Sequence, residues 1–204
     1  MCLADDLNKH QQKTELTQQK LLKAARRVFA RDGFEAARID DVATEAGYTR
    51  GAFYAHFKSK EAVFLSLLEQ QANLHVRKIR LLMENCNTEA ERLNALREYY
   101  VGRVGDRQWS ILVLEFKLYA LRHVKTRAKL AQAHRRIRTQ IKLEALEPML
   151  PCAMQSNTES KELRRIALEG LLHGLVLEHA YDAVNISEDQ VASMLREFFD
   201  LLIR

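Results

Sequence analysis

The chain has 204 residues, 47% of them hydrophobic, with 32 Lys and Arg against 27 Asp and Glu. That length and apolar content suffice for a sizeable core in one or two domains, and the net charge of +5 is a modest basic bias, weaker than that of architectural DNA proteins. Cys2, Cys86 and Cys152 are odd in number and lack metal-type spacing, no segment approaches about 18 uninterrupted apolar residues, and no signal-peptide layout opens the chain. A disulfide framework, a zinc site and a membrane span are thereby excluded; a cytoplasmic location without a cofactor is expected.

In chain order, residues 1–16 are polar, with Lys9, His10 and Lys13, and read either as a disordered tail or as a flexible arm that lies along DNA. Leu21, Ala25, Val28 and Phe29 then recur at helical spacing, with Thr17 placed to cap that helix and Gly33 to end it in a left-handed turn. A short helix follows from about Ile39 to Ala46, with Val42, Ala43 and Ala46 as its small apolar face and Asp40 and Asp41 in its first turn. It stops at Gly47. Thr49 caps a third helix, whose Phe53 and Phe57 must point inward, leaving Arg50, Gly51, Ala52, Tyr54 and His56 outward. Ser59 caps a fourth, so that the free amides and ammonium of Lys60 can meet a phosphate.

The outward face of the third helix offers a guanidinium, small residues that permit close approach, a phenol and an imidazole. That set suits a major groove, where Arg reads guanine and hydroxyls hold phosphates, so these residues are read as a recognition helix. Gly33-Phe34, Asp41-Val42-Ala43, Ala46-Gly47, Thr49-Arg50-Gly51-Ala52-Phe53-Tyr54, His56-Phe57 and Lys58-Ser59-Lys60-Glu61 resemble the signature of tetracycline-repressor (TetR)-type regulators over the first third of the chain. The resemblance implies base or groove contacts from Arg50, Gly51 and Ala52, and phosphate contacts from Thr49, Tyr54, His56 and Lys60. Arg38 stands where members commonly have Thr or Ser; it cannot accept an amide proton as a cap, though it can pair with phosphate. Tyr48 replaces a small aliphatic residue and either packs on the domain or touches the DNA backbone.

From Lys60 a helix runs to about Met83, followed by segments near 89–104, 107–122, 124–147, 159–182 and 187–203, with 148–160 as the one long loop. With the first three that makes about nine helices and an all-α fold: a helix-turn-helix DNA-binding domain over 1–60, joined to a ligand-binding and dimerisation domain over 61–204. Trp109–Leu121 and Ile166–Leu177 are apolar nearly all round, so each is covered on more than one side. Gly170 and Gly174 permit close helix approach, and with Leu177, Val191, Leu195, Phe198 and Leu202 they read as a four-helix dimer interface. The family implies the same dimer and hence a palindromic operator, with half-sites about 34–36 Å apart or a multiple of it.

The remaining helices are expected to enclose an effector cavity, with Trp109, Glu115, Phe116, Tyr119, His134 and His173 as candidate lining residues. Each has a plainer role open to it: the two histidines as core residues, and Glu115–Tyr119 and Glu169–His173 as local hydrogen-bond pairs. Residues 122–142 carry eight Lys or Arg and no acidic residue. This run reads as a solvated face or a site for an anionic effector or acidic partner, and DNA contact is not expected so far from the motif in sequence. No nucleophile elbow, phosphate-binding glycine loop or paired metal ligands occurs, so an enzyme is not expected. The reading is a homodimeric, ligand-responsive repressor released from its operator by a small, apolar or aromatic effector. The alternative is a DNA-bound dimer that recruits a protein partner.

Overall fold

The computed structural model describes residues 2–140, 149, 151 and 158–203. Among these residues the elements are α1 Cys2–Asp32, α2 Ile39–Glu45, α3 Arg50–His56, α4 Lys60–Glu84, α5 Glu89–Val101, a 3-10 turn Gly102–Gly105, α6 Arg107–Arg122, α7 Val124–Gln140, α8 Thr158–Tyr181 and α9 Glu188–Ile203. The fold is all-α. Most of the loop expected over 148–160, with Cys152, lies outside the described residues. The chain forms two compact units, one of residues 1–71 with 115–135, the other of residues 72–114 with 136–204. The N-terminal unit thus takes in the end of α6 and the start of α7 beside the helix-turn-helix.

Two expectations for the N-terminus are corrected. Helix α1 begins at Cys2, so residues 2–16 are helical, and Thr17 lies inside the helix, donating its hydroxyl back to the Lys13 carbonyl at 2.9 Å instead of capping. The C-terminal stop holds: Gly33 sits at φ +77°, a conformation costly for a side chain with a Cβ. Gly47, at φ +75°, turns α2 into α3, while the Tyr48 amide closes onto the Ala43 carbonyl at 2.8 Å.

The core of this unit is aromatic. Phe34, fully buried, meets Phe29, Phe64, Phe116 and Tyr119 edge-on, with ring centroids 5.0–5.3 Å apart, and Phe64 stacks on Phe116 at 4.2 Å. Edge-to-face pairs of this kind add about 0.5–1.5 kcal/mol each beyond their area burial. Phe53 of α3 and Phe57 at its C-cap are buried as the spacing predicts, and so are Val42 and Ala43 of α2.

In the C-terminal unit, α9 packs against α5 and α8. Its inward stripe is Val191, Leu195, Phe199 and Ile203, all buried. This corrects the expectation that Val191 and Leu195 face a partner subunit: they belong to the unit's own core, with Val101, Val104, Leu172 and Val176. Phe198 is half-buried. Helix α5 is held at its start by a reciprocal cap, in which the Thr88 hydroxyl accepts from the Glu91 amide and the Glu91 carboxylate accepts from the Thr88 amide.

Between the apolar clusters lies a polar one. Arg103 donates two hydrogen bonds to Glu169, at 2.6 and 2.9 Å, and His173 Nε2 stands 3.5 Å from the same carboxylate. Burial disfavours the Glu169 charge, but Arg103 outweighs it and holds the carboxyl down at about 2. Burial and then Arg103 push His75 down to about 4, so at neutral pH its imidazole is uncharged, with its Nδ1 hydrogen-bonded to the Tyr99 hydroxyl. Because that value lies below the ordinary 6.5, the associated stability is complete above about pH 6.5 and drains away as the pH falls toward 4. The melting temperature is expected to fall through this window, and to fall less in His75→Phe; equal acid dependence of the two proteins refutes the assignment to His75.

Candidate nucleic-acid interface

Helix α3 is short, and its start is fixed locally. Thr49 is extended at the N-cap, and its hydroxyl accepts from the Ala52 amide at 3.2 Å. With Phe53 buried, the opposite side of α3 is open: Arg50, Gly51 and Tyr54 are exposed, while Ala52 and His56 are half-buried. The side chain of Arg50 is 60% exposed; its Nη1 pairs with both Asp40 oxygens at 2.9 and 3.1 Å, and its guanidinium lies 5.5 Å from the Tyr54 ring centroid. The Arg50 guanidinium is therefore oriented by a neighbour on α2, a contact that sequence spacing did not reveal.

Arg38 stands at the N-cap of α2 in extended conformation without a side-chain cap, as an acceptor-free residue must, and it is exposed. Tyr48 is half-buried, its hydroxyl 3.4 Å from Thr17 Oγ1 and its ring 6.0 Å from the Lys20 ammonium, which places it against α1. Ser59 caps α4 by accepting from the Ala62 amide at 3.2 Å. Lys60 differs from expectation. Its ammonium is turned inward, donating to the Phe34 and Glu35 carbonyls at 3.1 and 2.5 Å, over the rings of Phe34 and Tyr119. It closes the carbonyls that follow the end of α1 and is not presented outward in this state.

The candidate cavity residues are divided between the two units. Glu115, Phe116 and Tyr119 belong to the N-terminal unit. Glu115 accepts from the Phe34 amide at 2.8 Å, Phe116 is buried in the aromatic core, and Tyr119 donates to Glu61 at 2.6 Å. Burial, aided by Glu61, raises the Tyr119 hydroxyl to about 12; burial opposes the Glu61 charge, yet hydrogen bonds from Ser59 and Tyr119 hold that carboxyl below its usual value. These three side chains fasten α6 to α1 and α4. His134 is half-buried in the same unit, whereas Trp109 and His173 are buried in the C-terminal one. The polar stripe Glu115, Tyr119, Arg122, at i, i+4 and i+7 of α6, was the available signal.

Residues 21–67 match the family model for bacterial regulatory proteins, tetR family. Over this stretch the chain is similar to that family. The matched residues include Arg38, Tyr48–Ala52, Tyr54, His56 and Lys60. Over 67 residues, 33% of the chain, the sequence is 40% identical to the uncharacterized HTH-type transcriptional regulator YerO of Bacillus subtilis, and this alignment spans 23% of that protein. Whole-chain similarity is of fold. The fatty acid degradation regulator FadR from Bacillus halodurans superposes with a TM-score of 0.67 at 21% identity, covering 92% of this chain and 94% of the other. FadR from Bacillus subtilis, solved in complex with stearoyl-CoA, gives 0.64 at 19% identity, covering 91% and 97%. The likeness of fold to these two regulators therefore extends past the matched residues into α5–α9.

If α3 reads bases, Arg50→Ala is expected to cost about 1–3 kcal/mol on a genomic duplex recovered by selection and to relax discrimination at one base pair. Asp40→Asn releases the guanidinium and removes a carboxylate from the reading face, and should tighten binding to mixed-sequence duplex. Fluorescence anisotropy with both duplexes checks this, and undiminished discrimination by Arg50→Ala would remove Arg50 from base reading.

Proposed function

We propose that the protein is a homodimeric, sequence-specific transcriptional repressor of the cytoplasm, bound to the nucleoid at a palindromic operator and released from it by a small-molecule effector. The observation that carries the DNA-binding part is the exposed Arg50–Tyr54 face, held over buried Phe53 inside a TetR-family helix-turn-helix. Arg50, Gly51 and Ala52 take the base edges. Thr49, Tyr54, His56 and Arg38 take phosphates, Tyr48 lies beside them, and Lys60 joins once its ammonium swings out.

Dimerisation is supported by an apolar face of α8 that nothing within the described residues covers. Leu163, Ile166, Leu177 and Tyr181 are 61%, 40%, 42% and 88% exposed, and Gly170 and Gly174 between them have open space where a Cβ would be. Phe198 and Met194 of α9 extend the surface. A second copy of the same face closes it with two-fold symmetry, and this symmetry dictates two operator half-sites. The effector is read as an apolar or aromatic compound; the acyl thioester in the fold neighbour FadR supports an apolar one. It must bind the DNA-incompetent state better than the competent one, by a coupling of about 1–3 kcal/mol, and operator must weaken effector binding equally.

Selection from fragmented genomic DNA at moderate salt tests the reading: an enriched palindrome is expected, and no enriched motif would overturn it. The dimer has its own test. Gly170→Ala/Gly174→Ala fits the isolated subunit and should stabilise α8 by up to about 1 kcal/mol per site through helix propensity, yet weaken dimers by holding the helices apart. Unchanged sedimentation of this variant would place the interface elsewhere.

A further inference from the structure

The basic run beginning at Arg122, remote from the helix-turn-helix in sequence, adjoins it in space. Arg122 Nη1 pairs with Glu35 Oε2 at 3.1 Å, and Glu35 is the residue whose carbonyl receives the Lys60 ammonium. The next residue, His123, stacks on Tyr119 at 4.0 Å between ring centroids, and Tyr119 in turn lies under Lys60. The α6–α7 junction therefore abuts the start of α4, where a phosphate contact is expected. Residues 121–129 are exposed without interruption, and Lys125, Arg127 and Lys129 follow Arg122 within them.

Charge is distributed accordingly. The N-terminal unit holds 17 Lys and Arg against 11 Asp and Glu, a net +6, and the C-terminal unit 15 against 16, a net −1. Within the N-terminal unit, residues 1–71 hold 11 against 10 and contribute only +1, whereas residues 115–135 hold six against one and contribute +5. The positive field of the DNA-reading unit thus originates in the α6–α7 segment and not in the helix-turn-helix. Within the motif Arg50 is paired with Asp40 and Lys60 is turned inward, as Arg122 is paired with Glu35, whereas Lys125, Arg127 and Lys129 are exposed.

We infer that Arg122, Lys125, Arg127 and Lys129 form a second, sequence-independent surface for duplex DNA, contacting the phosphate backbone beyond the segment read by α3. The inference rests on the DNA-binding reading above. Such contacts release condensed counterions, so each adds about 0.9 to the slope of log affinity against log salt and carries no base preference.

The test uses full-length protein and a fluorescein-labelled mixed-sequence duplex of about 40 base pairs, titrated by anisotropy over a range of salt. Lys125→Gln/Arg127→Gln/Lys129→Gln is expected to lower the slope by roughly 2–3 per protomer and to weaken binding at low salt by tenfold or more. The same charge change on exposed α4 residues of the other unit, Arg77→Gln/Lys78→Gln/Arg80→Gln, should leave the slope within about 0.5 of wild type, and melting curves confirm that both variants fold. A wild-type slope in the α7 variant, or equal losses in the two variants, overturns the inference while leaving the DNA-binding reading intact. Failure of the wild-type protein to bind any duplex would defeat that reading itself.

Discussion

Most of what the N-terminal unit can do depends on how α6 is fastened to α1 and α4. Phe34, just past the left-handed Gly33, has its amide accepted by Glu115 and its carbonyl capped by Lys60, while its ring is enclosed by Phe29, Phe64, Phe116 and Tyr119. The Glu115 carboxylate stands 3.4 Å from where a Cβ on Gly33 would lie, so a side chain at that position would be strained by φ and crowded by its acceptor. One residue thus joins the end of α1, the start of α4 and the end of α6. Tyr119–Glu61 and Arg122–Glu35 repeat the attachment further along α6. Removal of the Phe34 ring would leave a void touching three helices, at a cost of about 3–5 kcal/mol.

The same attachment reconciles a compact DNA-reading motif with a nearly neutral N-terminal segment. A three-helix motif buries little apolar surface by itself, and borrowing Phe116 and Tyr119 enlarges its core. The borrowed helix brings its own surface with it, including the basic residues of the α6–α7 junction.

Local features were legible in the sequence because they depend on neighbours a few residues away. The Thr49 and Ser59 caps, the left-handed glycines at 33 and 47, burial of Phe53 and Phe57, and the inability of Arg38 to cap are all of this kind. Side chains whose partners lie far along the chain were not legible. Glu115, Tyr119 and Arg122 meet residues 81, 58 and 87 positions away, and aromatic or polar tips on an apolar helix look alike whether they line a pocket or clasp a neighbouring helix. Helix α9 has apolar residues over a wide arc, including Met194, Phe198 and Leu201 besides its buried stripe, so the pattern fixed its amphipathicity without saying which side meets the subunit's own core. Thr17 was misplaced because a capping residue type inside a long polar helix can bond one turn back instead.

The Arg50–Asp40 pair has a consequence for how such a protein searches. On the proposed function, the cation assigned to a base edge is balanced by its own carboxylate while the protein scans arbitrary sequence, so wrong base pairs offer it little that it does not already have. Only a guanine edge that supplies two acceptors in the right place repays the exchange, and elsewhere Arg50 keeps its pair with Asp40. Residence on non-cognate DNA is then governed by backbone charge alone and stays brief as salt rises, while discrimination is concentrated in a single partner swap at the groove.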